Sequence, residues 1–290
     1  MILIFGCGIL GRHLLRALAD RNEPILAVTS QEILAAVTSE HVRRLACDVR
    51  SERDLARLAS VCAGEPLTVF YFAAQHNIDA VFADPDAARE VNIVGLRRFL
   101  SCGLNVRRLF FASTDCVYGE NDERHPRFAE DDPLLPVNEY GKQKAEAEAI
   151  VRASGFTVLR FPFLVGPSLC EKPNFYDSSV QRLQNGESIE MIDGMVRSAL
   201  SYQTTAGLLV RLSEAELPAE TINVCGDRGY TKYEIGLLLA EKTGAPVSLV
   251  RKLSVQEGRR FFKDARADCA CMDNEKLKRL LRIESIALEV

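Results

Sequence analysis

Tyr140 and Lys144 stand four residues apart in the stretch Asn138-Glu139-Tyr140-Gly141-Lys142-Gln143-Lys144-Ala145-Glu146. Helix-forming residues begin at about Gly141, and on a helix positions i and i+4 share one side. An ammonium beside a phenol favours the tyrosinate and lowers its pKa from about 10 towards neutrality. Such a pair is expected to serve as general acid/base on an alcohol or ketone. The same spacing also decorates plain solvated helices, so the chemistry depends on what the rest of the chain brings to it.

The N-terminus brings a dinucleotide signature. Met1 to Phe5 is a continuous apolar run, the pattern of a strand buried on both faces. It leads into Gly6-Cys7-Gly8-Ile9-Leu10-Gly11 and then a helical pattern from Arg12 to Leu18. Strand, glycine turn and helix are the context that gives a GxGxxG match its meaning. Gly6 permits the tight turn, Gly8 lets the backbone approach a pyrophosphate, and Gly11 lets helix and strand pack closely. The helix N-terminus offers its N–H groups and positive dipole end to that anion.

The elements that must position these residues follow one rhythm. Strand-like runs at 1–5, 25–29, 43–46, 67–73, 107–112 and 156–161 alternate with helical stretches at about 11–20, 51–62, 85–102 and 139–153. This alternation predicts an α/β fold, a doubly wound parallel sheet of Rossmann type with helices on both faces. Ligands of such sheets bind outside the carboxyl ends of the strands, where Gly6–Gly11, Asp48-Val49, Ala73-Ala74 and Ser113-Thr114 fall. Residues 162–204 are dense in proline and glycine, with one helical segment near 175–185. A short strand is expected at 221–225 and a helix at 231–244, closed by Gly244. The expected division is a dinucleotide-binding domain over 1–162 and a smaller substrate lobe over 163–290, interleaved with the sheet.

Composition bounds the alternatives. The 290 residues, 47% apolar and 26% charged, are those of an ordinary globular protein. A net charge of −4 and a pI near 5.7 give no general attraction to nucleic acid or membrane surface. No apolar run approaches the roughly 20 residues of a membrane span, and Met1 leads straight into a core strand without a basic leader, so a cytoplasmic location is expected. The nine cysteines lack paired metal spacing, and Cys269-Ala270-Cys271 has no second half. Reduced thiols and no metal are expected.

Taken together, the chain resembles the extended short-chain dehydrogenase/reductases, the NAD-dependent epimerase/dehydratase type, and within them the dTDP-4-dehydrorhamnose reductase-like proteins. The resemblance is carried by the glycine turn, Cys47-Asp48-Val49, Tyr71-Phe72-Ala73-Ala74, Glu90-Val91-Asn92-Ile93-Val94-Gly95 and Ala112-Ser113-Thr114-Asp115-Cys116-Val117-Tyr118-Gly119. It continues through Tyr140 to Lys144, Leu159-Arg160 with Gly166-Pro167, Ile222-Asn223-Val224 and Met272 to Leu277. It implies that Thr114 hydrogen-bonds the substrate oxygen, Tyr140 passes the proton, and Lys144 tunes Tyr140 and holds the nicotinamide ribose. Gly6, Gly8, Ile9, Leu10, Gly11, Thr29, Asp48, Val49, Ala73 and Ala74 would line the cofactor, Asp48 and Val49 at its adenine. Arg197 stands where related enzymes place an arginine on a nucleotide-sugar diphosphate, which the guanidinium fork suits. Asn174 is either a diphosphate-facing amide or a loop residue after Pro173, the loop role being the favoured one. Asn92 either orders a proton-relay water or caps local backbone, and a homodimer through the 85–102 and 139–153 helices is expected.

Three departures shape the functional expectation. Phe5 occupies the place of the family loop's first glycine. Thr29-Ser30 stands where NAD-preferring proteins carry a carboxylate, tipping the expected cofactor slightly to NADP(H) over NAD(H), with Arg12 or Arg43 as candidates for a 2′-phosphate. Cys116 replaces the second carboxyl of the dehydratase motif, which disfavours water elimination. The expected activity is an NAD(P)-dependent oxidoreductase on a nucleotide sugar, foremost a 4-keto sugar reductase. The alternatives are a nucleotide-sugar 4-epimerase and a non-catalytic dinucleotide-binding regulator.

Overall fold

The computed structural model describes residues 1–30 and 40–290. In chain order the first half comprises β1 (Ile2–Phe5), α1 (Ile9–Ala17), β2 (Ile25–Thr29), β3 (Val42–Ala46), α2 (Glu52–Cys62) and β4 (Leu67–Tyr71). It continues with α3 (Ile78–Ala83), α4 (Pro85–Arg89), a π-helical turn (Glu90–Gly95), α5 (Leu96–Ser101), β5 (Val106–Thr114), α6 (Glu139–Ala153) and β6 (Thr157–Phe161). The second half holds β7 (Phe163–Val165), α7 (Phe175–Gln184), β8 (Ile189–Ile192), β9 (Val196–Ser201), α8 (Tyr202–Glu214) and β10 (Thr221–Asn223). After these come β11 (Gly229–Tyr230), α9 (Lys232–Thr243), β12 (Val250–Leu253), α10 (Val255–Arg259), β13 (Cys269–Ala270) and α11 (Glu275–Leu281).

Seven strands form one parallel sheet in the order β10-β6-β5-β4-β1-β2-β3. Alternate residues of the central strands feed the apolar layers on the two faces. Ile2 and Ile4 join α1 and α8, while Leu3 and Phe5 join α2, α5 and α6. Phe5 is thus a core residue: its ring lies 4.7 Å from Phe99 and 5.3 Å from Tyr71 between centroids. The chain winds outward in both directions from β1, so the switch in strand order falls between β1 and β4. Crevices form at such points outside the carboxyl ends of the strands.

The predicted α/β alternation of the first half is observed, with shifted ends. Ala73 and Ala74 lie past the end of β4, and β5 extends to Thr114. The 85–102 helix is not continuous: the π-helical turn interrupts it and carries Asn92 towards the sheet. Asn92 accepts from the Gln75 amide at 2.8 Å and donates to the Gln75 carbonyl and to Gln143. It caps local backbone, the second of the two roles expected of it.

The 162–204 passage departs more from the reading of its prolines and glycines, because it contains β7, β8 and β9 as well as α7. These strands are three to six residues long, and their partners are distant in sequence: β9 pairs with β7, β11 and β13, and β8 with β12. Strand β10 returns to the main sheet beside β6 and α8 packs on α1, so the two halves interleave. All nine cysteines are unpaired, and no group of acidic, histidine or cysteine side chains among the described residues could hold a metal ion.

Candidate active site

A single cavity of about 1850 Å³ runs from the glycine turn to the β9 lobe, larger than the 300–1,000 Å³ of an ordinary small-ligand pocket. Its wall includes Gly6, Gly8, Ile9, Leu10 and Gly11, then Thr29, Asp48, Val49, Ala73 and Ala74. Thr114, Tyr140, Lys144, Asn174 and Arg197 complete the set named from sequence.

At one end the backbone requires glycine. Gly6 has φ +92°, and a Cβ there would lie 2.3 Å from the Ala73 nitrogen. The turn therefore nests against the residues that follow β4. Gly8 is exposed and no side chain caps α1, leaving first-turn N–H groups open to the cavity as an anion site requires. This end fits a dinucleotide pyrophosphate. Asp48 is drawn to its neighbour Arg50, whose Nη2 donates to Oδ2 at 2.6 Å. That hydrogen bond holds the carboxyl below its ordinary range.

The two arginines offered for a 2′-phosphate stand differently to the cavity. Arg12 lines the cavity, but its Nη1 donates to the Leu169 carbonyl at 3.2 Å. Arg43 projects outside the cavity, where its charge acts on Cys62.

The other end is built where β5 meets α6. Thr114 ends β5, and Asp115 to Val117 form a 3₁₀ turn beyond it. Helix α6 starts under one local and one distant cap: Asn138 Oδ1 accepts from the Gly141 amide at 2.8 Å, and the Glu139 amide donates to Asp264, 125 residues away, at 3.0 Å. Gly141 lets the helix reach the 3₁₀ turn, since a Cβ would lie 2.2 Å from the Cys116 carbonyl oxygen. That approach seats Tyr140 beside Cys116, Val81 and Ala88.

The expected tuning of Tyr140 by Lys144 is not what the structure holds. Lys144 Nζ donates to the Ala112 carbonyl at 2.5 Å and lies 3.9 Å from the centroid of Phe111. Burial drives its pKa down to about 7, with Glu148 one turn on opposing the shift. Tyr140 moves in the direction opposite to expectation. Burial in its apolar seat raises the phenol, and the nearby Cys116 and Asp115 add to the rise.

Asp115 is the hub of the site and was not singled out from sequence. Its Oδ1 accepts the Thr114 hydroxyl at 3.0 Å and the Cys116 thiol at 3.5 Å, while Oδ2 accepts Arg197 Nη1 at 2.9 Å. The Thr114 hydroxyl thus directs its proton at Asp115 while its oxygen accepts from the Cys116 amide at 3.2 Å. The free face of the Thr114 oxygen is an acceptor. Burial opposes the Arg197 charge, and Asp115 more than restores it, so the guanidinium sits above its ordinary pKa. Cys116 is pushed up to about 11, by burial and then by Asp115, and remains a thiol at neutral pH.

Asn174 lines the cavity, but its amide is committed as a helix cap. Oδ1 accepts from the Asp177 amide at 3.0 Å and Nδ2 donates to the Gly166 carbonyl at 2.9 Å. The loop role is the one realised. His76 faces cavity solvent yet is hemmed by protein, and burial followed by the Lys144 charge lowers its pKa. Two further cavity cations, Lys232 and Arg266, had no local signal. Arg266 is fixed by Asp79, 187 residues away, at 2.8 Å.

Residues 2–204 match the model of the NAD dependent epimerase/dehydratase family. The methionine adenosyltransferase 2 subunit beta of Rattus norvegicus is 26% identical over 223 residues, 72% of this chain and 65% of that protein. The dTDP-glucose 4,6-dehydratase of Mycobacterium tuberculosis strain H37Rv is 34% identical over 161 residues, 51% of this chain and 46% of its own. The chain thus spans less than two thirds of the length of these curated relatives. Among solved structures, the dTDP-glucose 4,6-dehydratase of Streptomyces venezuelae, with NAD bound, superposes with a TM-score of 0.79 at 23% identity. It covers 99% of this chain and 92% of that one. The UDP-glucose 4-epimerase of Thermotoga maritima, with UDP-glucose, gives 0.81 at 22% identity, covering 98% and 93%. At these identities the likeness is one of fold.

Proposed function

Because the chain belongs to the NAD-dependent epimerase/dehydratase family, we propose that it is a nicotinamide-dependent oxidoreductase of nucleotide sugars, foremost a 4-keto sugar reductase. The carrying observation is that Thr114, Tyr140 and Lys144 line the same cavity as the uncapped glycine turn. The sheet domain, 1–162, would hold the dinucleotide and the lobe, 163–290, the sugar nucleotide. A bound nicotinamide supplies or accepts the hydride.

The chain's own groups handle the accompanying proton. Tyr140, raised in pKa and with no hydrogen-bond partner for its hydroxyl among the described residues, is a donor at neutral pH and suits protonation of a ketone oxygen as hydride arrives. Thr114, whose hydroxyl donates to Asp115 and accepts from the Cys116 amide, keeps one lone pair that can accept from the product alcohol once Tyr140 has delivered its proton. Lys144, its pKa lowered by burial, lines the same cavity one helical turn from Tyr140 and would hold the nicotinamide ribose. Elimination of water is disfavoured. Cys116 stands where that step needs a second carboxyl, and a thiol pushed up to about 11 is a poor general acid beside Asp115, which is itself paired with Arg197 at 2.9 Å.

Tyr140→Phe is expected to lose orders of magnitude in turnover of a 4-keto nucleotide sugar while keeping cofactor affinity. Near-normal turnover removes Tyr140 from the mechanism. Net oxidation of NAD(P)H marks the reductase, and interconversion of sugars with no net consumption marks the 4-epimerase, which the same groups support. A non-catalytic reading is favoured by one observation, the similarity to proteins named as a subunit, and a fully active wild-type chain rules it out. With no carboxylate at Thr29-Ser30, NADPH is expected to bind at least as tightly as NADH, and a clear NADH preference in titration overturns that. A cytoplasmic homodimer accords with this reading, and a monomeric mass by light scattering at micromolar concentration counts against it. Among the described residues no helix is long and apolar enough to cross a membrane.

A further inference from the structure

Lys232 is the first residue of α9, half-buried in the cavity wall directly after the Thr231 cap. Its position is costly in three ways. A cation at a helix N-terminus opposes the dipole. Burial lowers its pKa, and the guanidiniums of Arg197 and Arg266, both repulsive, add to the fall. Finally, no carboxylate among the described residues pairs with it, whereas Asp115 holds Arg197 at 2.9 Å and Asp79 holds Arg266 at 2.8 Å. What Lys232 has instead is two aromatic rings, Phe163 and Phe175, with centroids 5.6 and 5.5 Å from Nζ. Such contacts steady an ammonium but leave its hydrogen-bond donors free.

Of the three cations that meet around β9 and α9, Arg197 and Arg266 are each paired with a carboxylate, and Lys232 is the one without such a pair among the described residues. Arg197, the residue expected from sequence to take the ligand's phosphates, is spent on Asp115 and through it on orienting Thr114. We infer that Lys232 is the anion anchor of the substrate end, closing on an oxyanion of the nucleotide sugar while Arg197 stays on Asp115. The inference rests on the nucleotide-sugar reading and names the residue that reads the ligand's charge. The oxyanion is a diphosphate oxygen or a carboxylate of the sugar; both offer the same acceptor to an ammonium.

Isothermal titration of the full-length protein, with the cofactor site saturated by NADPH, separates these sources using UDP, UDP-glucose and UDP-glucuronate as probes. Lys232→Met is expected to weaken UDP and UDP-glucose at least tenfold if the diphosphate is read. If the sugar carboxylate is read, only UDP-glucuronate weakens. Lys232→Arg, which keeps the charge, is expected to retain affinity within a few-fold in either case. Equal affinities of Lys232→Met and wild type for all three probes overturn the inference. So does an equal loss in the Met and Arg variants, or a wild type that binds none of the probes. Failure of the wild type to bind any nicotinamide dinucleotide would instead sink the proposed function, and the same probes without NADPH would still report on Lys232.

Discussion

Replacing Lys144 with methionine should separate catalysis from stability in opposite directions. The Lys144 ammonium is buried, and its pKa falls from 10.5 to about 7 because burial outweighs the help it receives from Glu148. The folded pKa lies below the unfolded one. Between about pH 7 and 10.5 the unfolded chain therefore holds a proton that the folded chain has shed, and wild-type stability climbs with pH across that window. Below pH 7 both states are protonated and the folded chain bears the full cost of the buried charge. At about 1.4 kcal/mol per tenfold change in the proton equilibrium, the fall from 10.5 to about 7 sets a ceiling of about 5 kcal/mol. Lys144→Met has no such group and lacks the climb. Urea denaturation of both proteins without cofactor, at pH 6.5 and 9.5, should show their stability difference moving by about 3 kcal/mol towards the wild type at the higher pH. The variant should melt no earlier than wild type at pH 6.5, yet turn over orders of magnitude more slowly. A stability difference that stays constant with pH would refute the depressed pKa, and with it the placement of the ammonium on Ala112 and Phe111.

Two further substitutions probe how the site is held. Gly141→Ala would bring a Cβ within 2.2 Å of the Cys116 carbonyl oxygen and 2.9 Å of Pro136 Cβ. It should cost about 2–3 kcal/mol and lower turnover by shifting Tyr140; a wild-type melt and rate would show that α6 does not need this approach. Tyr71→Phe removes a buried hydroxyl that has no hydrogen-bond partner among the described residues. It should stabilise the protein by about 1 kcal/mol, and a loss of stability in thermal or chemical denaturation would reveal a partner for that oxygen.

The sequence by itself determined the sheet and the rim of the cavity. Short apolar runs such as Ile2–Phe5 and Leu67–Tyr71, too short for helices and bounded by turn residues, read as strands of a sheet covered on both faces, and a parallel sheet puts Gly6, Ala73 and Thr114 at one edge. What tertiary structure decided is where charge goes. Lys144 turned to Ala112 because a buried ammonium takes whichever carbonyl and ring lie within reach. Asp115 captured Arg197 from 82 residues away. β9 found β7 and β13 across stretches with no common pattern. Hydrophobic periodicity is a property of neighbours along the chain. Desolvation and ion pairing depend on neighbours in space, and those exist only once the chain has closed on itself.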